Sequence, residues 1–220
     1  AAERVYMRGE TADARNSFIR YLQTFPEGAF SLNANYYIGL IDYNQQNYAS
    51  AAPYLNKVLE YPNNKYSEEA MMMSAEIAYI AKDYAQSLEW YKLLKDRAST
   101  PERRQIAATG MLRSAAMSGN GEETILAATA VLADAKVAPE LESEARHYRS
   151  KALVEANQLT HAVADWEALA KDTRNVYGAE AKYRLAQYLF DSGKTKEAEQ
   201  EVLNYLEVST PHAYWLARSF

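Results

Sequence analysis

A small residue followed four positions later by a large apolar one recurs along this chain. The pairs are Ala14-Phe18, Ala51-Leu55, Ser87-Tyr91, Thr124-Ala128, Ala162-Trp166 and Ala198-Val202, and only Ala128 departs from the rule. Successive small positions lie 37, 36, 37, 38 and 36 residues apart, and a period that steady marks an internal repeat. Three residues before most of them stands an aromatic, Leu or Thr (Thr11, Tyr48, Tyr84, Leu159, Thr195), preceded by turn dipeptides such as Gly9-Glu10, Lys82-Asp83 and Gly193-Lys194. Upstream of the turns, Ala34, Ile38, Ile41 and again Ala181, Leu185, Leu189 recur at helical spacing, which puts each set on one helix face.

The repeating unit is therefore a helical hairpin, and its punctuation agrees. Pro26, Pro62 and Pro211 follow second helices, whereas Pro101 and Pro139 open the next first helices. No segment alternates apolar and polar residues between hairpin-turn signals, so no strand is expected. The pattern predicts an all-α chain of six hairpins plus a partial helix, with Ala14, Ala51, Ser87, Thr124, Ala162 and Ala198 at close helix crossings.

A stretch near 34 residues combining Trp-x2-Leu-Gly-x2-Tyr, Ala-x3-Phe and Pro marks the tetratricopeptide repeat, TPR. Ile38-Gly39 stands in the Leu-Gly place, Leu185-Ala186 and Ser74-Ala75 fill it elsewhere, and Ala14-x3-Phe18 with Pro26 fits the second half. The chain thus resembles the TPR family along essentially its whole length. The departures are a longer period, the Thr124 and Ala128 pair, and Arg149 at an apolar place. The resemblance implies an α-solenoid of about six TPR-like hairpins in a right-handed superhelix, as one domain over 1–220 with units near 1–28 (partial), 29–65, 66–100, 101–138, 139–176, 177–211 and the start of a further unit at 212–220. Residues 177–183 and 214–220 resemble large TPR proteins of the Bacteroidetes cell envelope, which implies a periplasmic or outer-membrane-associated scaffold.

With 48% hydrophobic and 24% charged residues the chain has the material for a packed core. No apolar run approaches the roughly 20 residues of a membrane-spanning helix. The opening Ala1-Ala2-Glu3-Arg4 has no signal-peptide character, so any targeting segment is expected to have been removed. The absence of cysteine excludes disulfides, thiolate metal sites and cysteine nucleophiles. A net charge of -5 and a pI near 5.4 argue against a phosphate backbone as partner.

Motifs that resemble chemistry have plainer readings. Asp191-Ser192-Gly193-Lys194-Thr195 ends like a phosphate-binding loop, but position 188 is Tyr where a glycine is needed. Gly119-Asn120-Gly121 lacks the third glycine of a dinucleotide turn. His147, His161 and His212 have no second ligand at metal spacing, and Glu68-Glu69, Glu122-Glu123 and Glu142 with Glu144 fall at helix starts, where the helix dipole favours them. No nucleophile elbow is present. No enzyme activity, cofactor or metal is expected.

A binding surface is expected instead. Asn33, Tyr36, Leu40, Tyr43 and Asn44 lie on the helix face away from Ala34, Ile38 and Ile41, and from Ser31 to Asn56 the only charged residue is Asp42. Low charge with Tyr and Asn enrichment is how interfaces look; the competing reading packs this face on preceding repeats or leaves it in water. First helices of TPR units line a concave groove, which would run here through Tyr36, Tyr43, Met72, Tyr79, His147, Lys151, Tyr183 and Phe190. The resemblance implies a protein or peptide ligand there; the alternative function is a structural spacer in a longer envelope protein. His212 to Phe220 reads as the first helix of a further unit, with Tyr214, Trp215 and Phe220 lacking a partner helix and promoting self-association.

Overall fold

The computed structural model describes residues 2–208 and 210–219. Among them it has no strand and thirteen helices: α1 Ala2–Met7, α2 Thr11–Thr24, α3 Ser31–Asn44, α4 Tyr48–Glu60, α5 Ser67–Ile80, α6 Tyr84–Arg97, α7 Pro101–Ser118, α8 Gly121–Leu132, α9 Pro139–Glu155, α10 Leu159–Leu169, α11 Val176–Asp191, α12 Thr195–Glu207 and α13 Ala213–Arg218. They pack as six consecutive hairpins followed by α13, the all-α repeat fold that the spacing predicts. Thr11, Tyr48, Tyr84, Leu159 and Thr195 each open a second helix, and Pro101 and Pro139 open α7 and α9, where a missing amide hydrogen costs nothing.

One backbone device closes every hairpin. Gly9, Gln46, Lys82, Gly119, Asn157 and Gly193 all have positive φ, between 58° and 83°, and each lies five residues before the small residue of its repeat. A left-handed residue there reverses the chain after the first helix. In the second hairpin the Gln46 amide donates to the Tyr43 carbonyl at 2.8 Å and the Asn47 amide to the Asp42 carbonyl at 2.8 Å, satisfying carbonyls the helix end would leave open. The turns at Lys82, Asn157 and Gly193 repeat this pair of bonds. Gly193 and Gly119 are thus turn residues and not parts of nucleotide loops.

The small positions sit where helices cross closely. Ala14, Ala51, Ser87 and Ala162 are fully buried, and Thr124 and Ala198 nearly so. Ser87 is tolerated because its hydroxyl donates to the Ala75 carbonyl at 2.8 Å and meets Ser114 Oγ at 2.9 Å. Ala128, the exception to the large-residue rule, is also fully buried. Gly39 fills the Leu-Gly place for a related reason: a Cβ there would stand 2.8 Å from Leu55 Cδ2.

The chain divides into two compact units, Ala1–Ser114 and Ala115–Phe220. In the first, Ala34, Ile38 and Ile41 of α3 pack back on Ala14 and Phe18, while Tyr36 packs forward with Leu55, Val58, Ala70 and Met73. Asp42, 1% exposed, is gripped by Arg15 through Nε at 2.6 Å and Nη2 at 2.8 Å, and the Ser50 hydroxyl adds a third bond at 2.6 Å. Burial alone would raise this carboxyl; the bonds from Arg15 and Ser50 offset that and hold it below its ordinary value. The second unit is built around Leu153, Trp166, Leu169 and Leu185. Its buried carboxylate is Asp165, met by Arg149 at 2.7 and 2.8 Å and by Arg146 at 3.2 Å. Arg149 therefore stands at an apolar place because it neutralises Asp165 across the hairpin.

The turn geometry predicts opposite signs for two substitutions of the same size. Lys82→Gly should raise the melting temperature, since a non-glycine left-handed residue costs about 1 kcal/mol, whereas Gly193→Ala should lower it by a similar margin. Thermal denaturation followed by circular dichroism checks both.

Candidate functional site

First helices of neighbouring hairpins are tied by side chains 33 residues apart. The Tyr36 hydroxyl on α3 donates to Glu69 Oε2 on α5 at 2.6 Å, and Tyr43 donates to Glu76 one further stretch along the same two helices. Asn33 Nδ2 donates to Glu3 on α1 at 2.7 Å. Tyr36 is only 5% exposed and its ring stacks on Tyr66 with centroids 3.8 Å apart. Burial, then the bond to Glu69, raises the Tyr36 phenol; burial and Glu76 do the same for Tyr43. Leu40 and Tyr43 are half-buried beside the same cluster, and of the five α3 residues only Asn44 is exposed.

The expectation of a free tyrosine face is corrected here. That face is the seam to the next hairpin. Charge is scarce on it because α3 is covered on two sides, and the tyrosine hydroxyls find their acceptors inside the chain. Met72 is half-buried beside Met71, Leu94 and Ala107, and Tyr79 meets Tyr84 edge-on at 5.1 Å. In the second unit Tyr183 is 8% exposed, lies 5.7 Å from Trp215 and accepts from Arg218 Nη2 at 3.3 Å. Trp215, expected to lack a partner, is thus half-buried on Tyr183, while Tyr214 is 62% exposed. Phe220 lies outside the described residues. Phe190 is exposed.

His147 and Lys151 do line a cavity, of about 700 Å³, between α9 and α11. Its floor comes from Leu159, Trp166 and Leu169 of α10, and Val154 and Tyr188 add apolar wall. His147 stacks on Tyr177 with centroids 4.3 Å apart, and its Nδ1 lies 3.8 Å from Glu180 Oε2, again 33 residues on. Burial lowers the His147 pKa, with Glu180 opposing and Lys151 and Arg184 adding to the fall. The neutral imidazole is thereby favoured over the charged one. Glu180 also accepts from Arg184 at 3.1 and 3.3 Å. Phe190 and Tyr183 lie outside this lining, and Trp166, Glu180, Arg184 and Tyr188 were not nominated from sequence. The signal available for Glu180 was its 33-residue offset from His147, meaningful only once Tyr36 and Glu69 are seen to pair.

No group of three or more His, Asp or Glu able to hold a metal occurs among the described residues, and no helix described is long and apolar enough to cross a membrane. The family model for the tetratricopeptide repeat matches residues 2–65, 36–101 and 149–214. This chain belongs to the tetratricopeptide-repeat family. The third match contains all of the cavity's lining from Ser150 onward, so the cavity is made by TPR helices. No curated protein matches the chain.

Tyr36→Ser should destabilise the chain by about 3–5 kcal/mol, the range for truncating a buried aromatic, as read by urea denaturation. Raised phenols also set an alkaline limit: Tyr37 and Tyr91 are pushed up to about 12, in both cases chiefly by burial. The unfolded chain ionises these groups near pH 10 while the folded one keeps its protons, so their stabilising contribution, complete below about pH 10, is lost as pH rises toward 12. Denaturation midpoints should fall over that window, with ultraviolet titration showing tyrosines that resist ionisation. For His147 the sign is reversed: its contribution is present above about pH 6.5 and is lost as pH falls, and its imidazole resonance in an NMR titration should move at a pH below that of a free histidine.

Proposed function

We propose that this TPR chain is a protein-interaction scaffold that binds a peptide or partner-protein segment in the groove between α9 and α11. TPR repeats generally mediate protein–protein interaction and are typically non-enzymatic. The observation that carries the reading is the 700 Å³ cavity itself, which combines an apolar floor with polar walls, the composition of a binding cleft. Part of the apolar surface on other first helices, Tyr36 and Met71 among it, is already used to join hairpins. The likeness of residues 177–183 and 214–220 to Bacteroidetes envelope proteins supports a place in the bacterial cell envelope.

Gln187 is exposed and lines the groove, so Gln187→Trp fills it without touching the core. Peptides selected on the intact chain from a displayed random library should lose at least tenfold in affinity on this variant, a change of about 1.4 kcal/mol, while its circular dichroism stays unchanged. Unaltered capture by a folded Gln187→Trp variant would place binding elsewhere.

A further inference from the structure

The groove walls carry their charges in an order along the helices, and that order defines what fits. Lys151 on α9 and Arg184 on α11 both line it and stand 33 residues apart, the offset that sets His147 opposite Glu180 and Tyr36 opposite Glu69. They therefore face each other across the cleft. Arg184 shares Glu180 with His147, and among the described residues no carboxylate lies within ion-pair distance of Lys151. This rung holds two cations against one anion.

Glu155 and Asp191 also line the groove. They are the last residues of α9 and α11, and these helices run in the same direction because each is the first of its hairpin. Both carboxylates thus stand at one end of the cleft, together with two helix C-termini whose dipoles are negative there. Neither has an ion-pair partner among the described residues. Between the cationic rung and the acidic end stand Val154 of α9 and Tyr188 of α11, both on the groove wall, with Trp166 6.4 Å from Tyr188.

Resting on the groove reading above, we propose that the partner is an extended protein segment carrying an acidic and a basic side chain on either side of an apolar one. The acidic group meets Lys151 and Arg184, the apolar side chain lies against Val154 and Tyr188, and the basic group meets Glu155 and Asp191. Lys151 precedes Glu155 by four residues and Arg184 precedes Asp191 by seven, which at a rise of about 1.5 Å per residue spans roughly 6–10 Å. An extended chain advances about 3.3 Å per residue, so the two charges on the partner are two or three residues apart. A segment of one sign meets repulsion at one end.

The test uses the whole chain and a displayed library of random dodecapeptides. Recovered peptides should carry an acid and a base at that separation around an apolar residue. Replacing the base by Gln in a synthetic copy should weaken binding about tenfold in fluorescence anisotropy on the native chain, but less than twofold on Glu155→Gln/Asp191→Asn. Replacing the acid should show the same pattern with Lys151→Gln. Circular dichroism confirms that these surface variants fold, and Glu155→Gln alone serves if the double variant does not. Peptides of one sign, or peptide charges that do not couple to Glu155, Asp191 or Lys151, would overturn this inference while leaving the groove standing so long as Gln187→Trp abolishes capture. Binding insensitive to Gln187→Trp, or no peptide recovered, would overturn the groove reading and this inference together.

Discussion

A two-helix hairpin cannot bury its own apolar surface, so a first helix inside the stack, such as α3, is covered on two sides, by the hairpin before and by its own second helix with the hairpin after. α3 shows what this demands of a sequence. Ala34, Ile38 and Ile41 point back to Ala14 and Phe18, and Tyr36 points forward to Leu55 and Ala70. A helix packed on both faces has no single apolar stripe. That condition also requires close approach at one point of each hairpin, which is why alanine, serine or threonine recurs there and why the left-handed turn residue sits a constant five positions earlier.

Polar groups enter this interior only with partners. Among the described residues Asp42 and Asp165 are the buried carboxylates, one in each unit, and each is met by arginine. Removing one arginine would leave a charge without compensation, which costs far more than the pair contributes. The tyrosine-to-glutamate rungs are a milder form of the same solution. They let a large ring fill the seam between hairpins while its hydroxyl reaches a carboxylate on the next first helix. Where the ring at this position is His147, the rung loosens to 3.8 Å and the helices flank a cavity. The groove is thus a variation on the seam, made where the join is less complete.

The tyrosine-rich stretch from Ser31 to Asn56 has the composition of an interface because it is one, between parts of the same chain. Composition reports desolvation and is blind to whether the covering surface belongs to a partner or to the next repeat. Arg149 carries the complementary lesson: its charge looked misplaced until Asp165, sixteen residues on, was seen to lie beneath it.

Sequence alone determined the helical hairpin, its period, the turn positions and the small residues at the crossings, because these follow from backbone geometry and recur at intervals that one chain displays. Gly9, Lys82 and Gly193 were legible as turns, and Pro101 and Pro139 as helix starts, since their chemistry is local. The tertiary structure decided which faces are covered, that Tyr36 is interior, that Trp215 rests on Tyr183, and that His147 and Lys151 belong to a cleft with Trp166, Glu180 and Arg184. Those outcomes depend on how far apart two helices stand and on which side chain fills the space between them. That separation is set by packing between residues more than thirty positions apart, and no local pattern carries it.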